Sequence, residues 1–127
     1  MSLLGMLYLA AAVLCALLGV AHSYLGERLI LMRLFQRTEL PKLWGETEMF
    51  KRQLRFAWHV TSIAWVGCGA VFLHMAQGPV ASPAIAAILA AVFLLTGAII
   101  LFASRGRHFA WPLFVVIGLI ALYGALA

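Results

Sequence analysis

Four long runs of apolar residues, separated by short polar stretches, dominate the pattern of this chain. The runs cover about Leu3–Tyr24, Phe56–Ala76, Ser82–Ala103 and Phe109–Ala127. A helix needs about 20 apolar residues to cross the hydrocarbon core of a bilayer, and each run is close to that length. We therefore predict an all-α integral membrane protein, a four-helix antiparallel bundle that forms a single transmembrane domain over residues 1–127.

The polar stretches at 25–55 and 104–108 contain all nine lysine and arginine residues of the chain. In a four-span topology these two connections lie on the same side of the membrane, and basic residues collect in cytoplasmic loops. The connection at 77–81 carries no charge, as suits an outer loop. We predict a multi-pass protein of the cell inner (plasma) membrane with cytoplasmic basic loops and both termini facing out.

The composition supports a membrane protein and argues against a nucleic-acid partner. The chain is 65% hydrophobic and 10% charged, whereas soluble domains are nearer half apolar and a quarter charged. Its net charge is +5 and its pI is about 9.9, but the basic residues lie at the ends of apolar runs. That placement predicts contact with anionic membrane lipids.

The first connection begins with an amphipathic segment, Glu27–Arg37, which mixes apolar residues with three arginines. We expect it to extend the first helix or to lie in the membrane interface. Within the first helix, Ala11, Cys15, Gly19 and His22 share one narrow face of mostly small residues, and Gly26 continues it. Small faces let membrane helices approach closely, so His22 is predicted to point into a helix–helix contact.

A charged stripe precedes and enters the second apolar run. Glu48, Arg52, Arg55 and His59 follow one another at spacings of four, three and four. This spacing places them on one helical face, and it predicts an i,i+4 ion pair between Glu48 and Arg52.

The opposite face of the same helix carries Ala57, Thr61, Ala64 and Cys68. If this small-residue seam packs inside the bundle, the stripe that contains His59 faces outward, toward another subunit or a partner.

Three histidines, His22, His59 and His108, are predicted within roughly 6 Å of the cytoplasmic boundary. One interpretation is that they are interfacial and bind no ligand. A second is a metal site formed by these histidines with Glu27, because imidazole and carboxylate suit zinc or iron. A third is haem b held between two of the histidines.

A fourth interpretation is a site for an anionic group, because arginine forks match carboxylates and phosphates. Its candidate residues are Arg52, Arg55, His59, Arg105, Arg107 and His108.

The segment FKRQLRFAWH, residues 50–59, has the form F-x-R-x-x-R-x-x-x-H. It resembles the second-helix motif of the membrane-associated proteins in eicosanoid and glutathione metabolism, the MAPEG superfamily. That resemblance implies four helices, a homotrimer, and glutathione bound between subunits, with its carboxylates held by Arg52 and Arg55.

Three further segments, AHSYLGERLI, KRQLRFAWHVTS and SRGRHFAWPLF, resemble parts of a family of small, uncharacterised four-span inner-membrane proteins of bacteria. This resemblance covers more of the chain and implies no activity.

These patterns favour a non-catalytic membrane protein, either a homo-oligomer or an accessory subunit of a larger membrane complex, with a His/Arg site for an anionic head group or ligand. The alternatives are a MAPEG-like glutathione-dependent enzyme and a His-ligated metal or haem protein. Hydrolytic chemistry needs a nucleophile beside a base. Ser62 follows His59 by three residues, but nothing in the pattern supports a nucleophile there.

Overall fold

The computed structural model describes residues 2–78 and 82–127, and the regular elements in these two ranges are helical. The helices are α1 (Leu3–Leu25), a π-helical segment (Gly26–Leu31), α2 (Met32–Leu34), α3 (Thr47–Gln77), α4 (Pro83–Ala103) and α5 (Trp111–Leu126). The predicted all-α class is therefore confirmed. The predicted outer connection at 77–81 lies partly outside the described residues, at positions 79–81.

Three helical stretches are long and apolar enough to cross a membrane: Leu3–Leu34, Thr47–Gln77 and Pro83–Ala103. The fourth predicted span corresponds to α5, which has 16 residues. At a rise of about 1.5 Å per residue it is about 24 Å long, less than the roughly 30 Å of a hydrocarbon core. The structure thus supports a membrane protein with three candidate spans and one shorter apolar helix.

The first connection is ordered by local signals that the sequence contains. The amphipathic segment continues α1 directly, first as the π-helical segment and then as α2. A tight turn follows, in which Trp44 and Gly45 have positive φ angles of 49° and 84°. Leu43 and Glu46 close this turn with two backbone hydrogen bonds.

The predicted start of α4 is also confirmed. The Ser82 side chain accepts a hydrogen bond from the Ile85 backbone N–H at 3.5 Å, and Pro83 occupies the first helical position. Serine before the first turn and proline within it are typical of helix N-termini.

The chain clusters into two compact units. The first, which we call the aromatic unit, consists of Met1–Cys15 and Cys68–Ala127. Its core contains a row of buried rings, in which Tyr8 lies 5.9 Å from Phe72, Phe72 6.1 Å from Phe93, and Phe93 5.9 Å from Phe114. Helices α4 and α5 pack antiparallel in this unit.

The second unit, Ala16–Gly67, is called the polar unit and contains His22, His59 and the arginines of the first connection. In it the end of α1 packs antiparallel to the first half of α3. A Cβ atom added at Gly19 would lie 2.8 Å from a Val66 methyl and 2.9 Å from the Ser62 carbonyl oxygen, so the two helices are in close contact there.

The small-residue face predicted for α1 is confirmed. Ala11, Cys15, Gly19 and Gly26 are all buried.

Candidate polar site

Four side chains of the polar unit form one hydrogen-bonded chain between α1 and α3. The Ser23 hydroxyl bonds to Ser62 Oγ at 2.8 Å and to His59 Nδ1 at 2.9 Å. Ser62 Oγ in turn lies 2.9 Å from His22 Nδ1. Ser62 is only 5% exposed. A hydroxyl in such a place needs a partner, since an unsatisfied buried polar group is costly.

Glu27, in the first turn of the π-helical segment, extends this chain toward the basic loop. Its Oε2 atom lies 3.3 Å from His59 Nε2 and accepts a hydrogen bond from Arg55 Nε at 3.1 Å. Its Oε1 atom lies 2.8 Å from an Arg55 terminal nitrogen. The Arg55 guanidinium also lies 5.1 Å from the centre of the Phe35 ring. A two-point contact of this kind is the strong geometry for an arginine and a carboxylate.

We call Glu27, His59, Ser23, Ser62 and His22 the polar cluster. Each imidazole nitrogen of His59 has a partner, a carboxylate on one side and a hydroxyl on the other. The cluster is a continuous sequence of carboxylate, imidazole, hydroxyl, hydroxyl and imidazole. Such an arrangement can orient a proton acceptor beside a hydroxyl.

Trp58 fixes the position of His22 in the cluster. The indole N–H donates to the His22 carbonyl oxygen at 2.9 Å, and the two rings stack with their centres 4.8 Å apart. Gly26 makes this possible, because a Cβ atom there would overlap the Trp58 indole. The glycine predicted as part of a packing face thus makes room for the tryptophan that holds the histidine.

A groove of about 310 Å³ opens on the cluster. Its polar lining consists of Ser23, His59 and Ser62, and most of its wall is apolar. Val20 and Ile63, two of the apolar wall residues, are 66% and 70% exposed. The accessible wall of the groove is therefore almost entirely apolar, and the polar atoms of the cluster lie behind it.

The predicted orientation of α3 is wrong. Arg55 and His59 do not face away from the rest of the chain; they contact Glu27 and Ser23 of the preceding helical stretch. The seam on the opposite face is largely uncovered, with Ala57 and Ala64 exposed. The polar face packs because Glu27 and Ser23 supply partners for it.

Two other details of the charged stripe differ from expectation. Glu48 pairs with Lys51, three residues on, at 2.8 Å, and not with Arg52 as the spacing suggested. Arg52 is exposed. Of the two stripe arginines, only Arg55 belongs to the polar site.

The remaining predicted residues, Arg105, Arg107 and His108, belong to the aromatic unit. Arg105 and Gly106 have positive φ angles of 52° and 76° in the turn after α4. The His108 Nδ1 atom accepts a hydrogen bond from the Ala110 N–H at 3.2 Å, and its ring stacks on Phe109. His108 therefore helps to order the turn before α5.

Within residues 2–78 and 82–127, no group of three or more His, Cys, Asp or Glu side chains is arranged to hold a metal ion. A metal or haem at His59 would have to displace either Ser23 or Glu27. The metal and haem interpretations stay predictions.

Ser23 and Trp58 are site residues that the sequence pattern did not indicate, and Ser62 was considered only as a nucleophile and rejected. Ser23 follows His22 directly, and Ser62 is three residues from His59, so both lie near the predicted histidines. Their relevance depends on how α1 and α3 are aligned, which a single helix pattern does not specify.

The chain matches no protein-family model, and comparisons with curated proteins and with solved structures found no match either.

Proposed function

We propose that this chain is a multi-pass inner-membrane protein whose amphipathic segment, Glu27–Arg37, binds anionic phospholipid head groups at the cytoplasmic face. Three stretches long and apolar enough to span a bilayer support the membrane part of the proposal. The concentration of basic residues at the end of the first of them and in the connection that follows supports the orientation.

The observation that carries the head-group site is a groove beside Arg33 and Arg37. It has a volume of about 300 Å³ and is lined by these two arginines with Leu29, Ile30 and Leu34. Among the residues that the structure describes, neither arginine has an acidic partner. Two unpaired arginines beside exposed aliphatic side chains fit a lipid phosphate and the top of its acyl chains.

Arg55 contributes less to anion binding than the sequence suggested, because Glu27 already neutralises it. Arg52 is exposed and can join the basic surface. Arg105 and Arg107 lie in the other predicted cytoplasmic connection, so they would add positive charge on the same side of the membrane. The pairing of Arg55 with Glu27 also weakens the glutathione alternative, since a tripeptide carboxylate at Arg55 would compete with Glu27.

We further propose that the protein is a homo-oligomer or an accessory subunit of a larger membrane complex. The uncovered small-residue seam of α3 supports this, because exposed alanines on a membrane helix allow close packing with another helix.

Native mass spectrometry in detergent, with phosphatidylglycerol and phosphatidylcholine titrated separately, tests the lipid site. We expect the wild type to retain phosphatidylglycerol preferentially. Replacement of Arg33 and Arg37 by Gln removes about 1 kcal/mol per charge near a membrane surface, roughly a 30-fold loss of affinity for the pair.

The matched control replaces Lys42 and Lys51 by Gln, which removes the same net charge elsewhere in the connection. An equal loss of lipid in both double variants would refute a specific site at Arg33 and Arg37. The same spectra report the copy number, so a single copy without partners would refute the oligomer and accessory proposals.

A further inference from the structure

The hydroxyl groups of the polar cluster are arranged differently from those of Thr61 and Thr96, which also lie in helices. The side chains of Thr61 and Thr96 donate to backbone carbonyls one turn back in their own helices, at 3.0 and 2.7 Å. Serine and threonine in helices commonly bond in this way. Ser23 and Ser62 instead bond to each other and to imidazoles on the facing helix.

We propose that Ser23, His59 and Glu27 form a nucleophile–base–acid site that hydrolyses long-chain acyl esters entering from the membrane. The inference is independent of the head-group site at Arg33 and Arg37, and it departs from the non-catalytic function that the sequence favoured. It rests on three groups in hydrogen-bond reach, an apolar groove lined by Ser23 and His59, and a side-chain donor for the developing charge.

The three groups lie in the order that a base-activated serine requires. Ser23 Oγ lies 2.9 Å from His59 Nδ1, and His59 Nε2 lies 3.3 Å from Glu27 Oε2. In the tautomer with its proton on Nε2, His59 donates to Glu27, and its Nδ1 accepts the proton of Ser23 once that hydroxyl turns to the imidazole from Ser62 Oγ, to which it donates at 2.8 Å. A base oriented by a carboxylate is the general means of activating a serine hydroxyl. Arg55 holds the carboxylate in place from its other side.

The oxyanion that forms next to Ser23 would be stabilised by the Ser62 side chain. Ser23 and Ser62 lie inside helices, so their backbone N–H groups donate to carbonyls of the preceding turn. The donor must therefore be a side chain. When His22 Nδ1 carries a proton and donates to Ser62 Oγ, the Ser62 hydroxyl proton is free to point at an oxyanion next to Ser23. Side-chain hydroxyls serve this role in other enzymes.

The groove beside Ser23 favours an apolar substrate. The groove places Ser23, His59 and Ser62 beside the exposed side chains of Val20 and Ile63. These apolar walls belong to two of the candidate membrane spans. An acyl chain in the bilayer can lie along such walls with its ester group at the hydroxyls, which a polar substrate would not do.

The reaction balances with water as its only co-reactant. The Ser23 oxygen bonds to the ester carbonyl carbon while its proton moves to His59 Nδ1, and the carbonyl electron pair moves to the oxygen. The intermediate collapses with cleavage of the ester C–O bond, and His59 returns the proton to the departing alcohol. Water then attacks the acyl-Ser23 ester with His59 as base, which releases a fatty acid and restores Ser23.

The test uses the full-length protein in vesicles of phosphatidylethanolamine and phosphatidylglycerol, treated with a fluorophosphonate that modifies activated serines. Intact-mass spectrometry and peptide mapping of the wild type are expected to find one adduct, on Ser23. This readout does not depend on the folding of any variant. No adduct, or an adduct on a different residue, would overturn the proposal.

Two variants and a control test Ser23 as the nucleophile and His59 as the base. Ser23→Ala is expected to lose the adduct, and His59→Gln to slow labelling by about 100-fold or more, the size of a general-base contribution. Thr61→Ala, which removes a hydroxyl next to Ser62 that donates to the Ala57 carbonyl of its own helix, should label at the wild-type rate. Labelling of a monodisperse His59→Gln protein at the wild-type rate would refute the base role.

Turnover is measured with 4-nitrophenyl octanoate and 4-nitrophenyl acetate. The groove predicts faster hydrolysis of the octanoate, with the difference lost in Ser23→Ala. Equal rates in wild type and Ser23→Ala would refute hydrolysis at this site.

Discussion

At the scale of single residues, Gly26 determines how the side chains of the polar site are held. The position is buried, and the space a side chain would need is filled by the Trp58 indole. The indole makes two contacts with one residue, a hydrogen bond to the His22 carbonyl and a stack on its ring. The absence of a side chain at Gly26 is thus a condition for the placement of His22.

We expect Gly26→Ala to lower the free energy of unfolding by about 1–3 kcal/mol, because the added methyl forces Trp58 out of its place. Gly67→Ala is the matched control, since a Cβ atom there meets nothing within 4 Å. Alanine is favoured over glycine in a helix by about 0.5–1 kcal/mol, so the control should be as stable as wild type or more stable. Thermal unfolding in detergent, followed by circular dichroism, compares them. Similar melting of the two variants would contradict the role given to Gly26.

The sequence identified the chemically active residue types at this scale but not their partners. Arg55 and His59 were predicted as ligand-facing residues because they share a face with Arg52. In the structure Glu27 and Ser23 contact them first. The sequence shows which residues lie on one side of a helix, whereas the partner depends on the alignment of two helices that are 36 residues apart at Ser23 and His59.

At the scale of elements, the π-helical segment connects α1 to α2. Segments of this kind are rare and often occur at functional sites. Here the segment spans Gly26–Leu31 and contains Glu27, the carboxylate that pairs with Arg55 of α3. The sequence predicted a helical or interfacial segment in this region, but not the change in helix type, which residue pattern alone does not reveal.

Glu27→Gln tests whether this ion pair fastens the segment to α3. Because the Glu27 and Arg55 side chains are 27% and 47% exposed, solvent screens the pair. We therefore expect a loss of only about 1 kcal/mol in the free energy of unfolding, the upper end for pairs of this kind. Addition of salt should reduce the difference from wild type.

Glu48→Gln is the charge-matched control, since Glu48 is far more exposed and pairs with Lys51 only one helical turn away. It should change the unfolding temperature less than Glu27→Gln does. If both variants melt alike at low salt, the pair between Glu27 and Arg55 does not fasten the two elements.

α3 shows why a two-sided helix is difficult to orient from its sequence. One face is a small-residue seam and the other a charged stripe, and in a membrane protein either can pack. Close packing of small residues gains dispersion contacts, whereas the charged face gains hydrogen bonds that would otherwise be unmade. In this chain the second contribution prevails, because α1 and its extension present Ser23 and Glu27 to the stripe.

At the scale of the whole molecule, the all-helical class and three of the four apolar stretches were predictable. Length and hydropathy are sums over about 20 residues, so they tolerate local errors. The fourth stretch, 109–127, was predicted to be a full span, but α5 begins only at Trp111 and ends at Leu126. Residues 105–110 form a turn ordered by His108 and by a bond from the Trp111 indole to the Gly106 carbonyl. This turn shortens the helix.

The short α5 makes the position of the C-terminus the most informative test of the proposed topology. If basic connections are cytoplasmic and α5 crosses the membrane despite its 16 residues, the C-terminus faces out. Helices shorter than the hydrocarbon core can still span by local thinning of the bilayer, at a cost of a fraction of a kcal/mol per Å of mismatch. If α5 does not cross, the C-terminus stays in the cytoplasm with the basic turn before it.

Labelling of single introduced cysteines with a membrane-impermeant maleimide distinguishes these outcomes. The background replaces Cys15 and Cys68, the two native thiols, by alanine. We expect Thr38→Cys and Arg107→Cys to react only after the cells are permeabilised, because both positions are in predicted cytoplasmic connections. We expect Ala127→Cys to react in intact cells. Protection of Ala127→Cys would reduce the protein to three spans with a cytoplasmic C-terminus, and reaction of Arg107→Cys in intact cells would contradict the charge-based orientation.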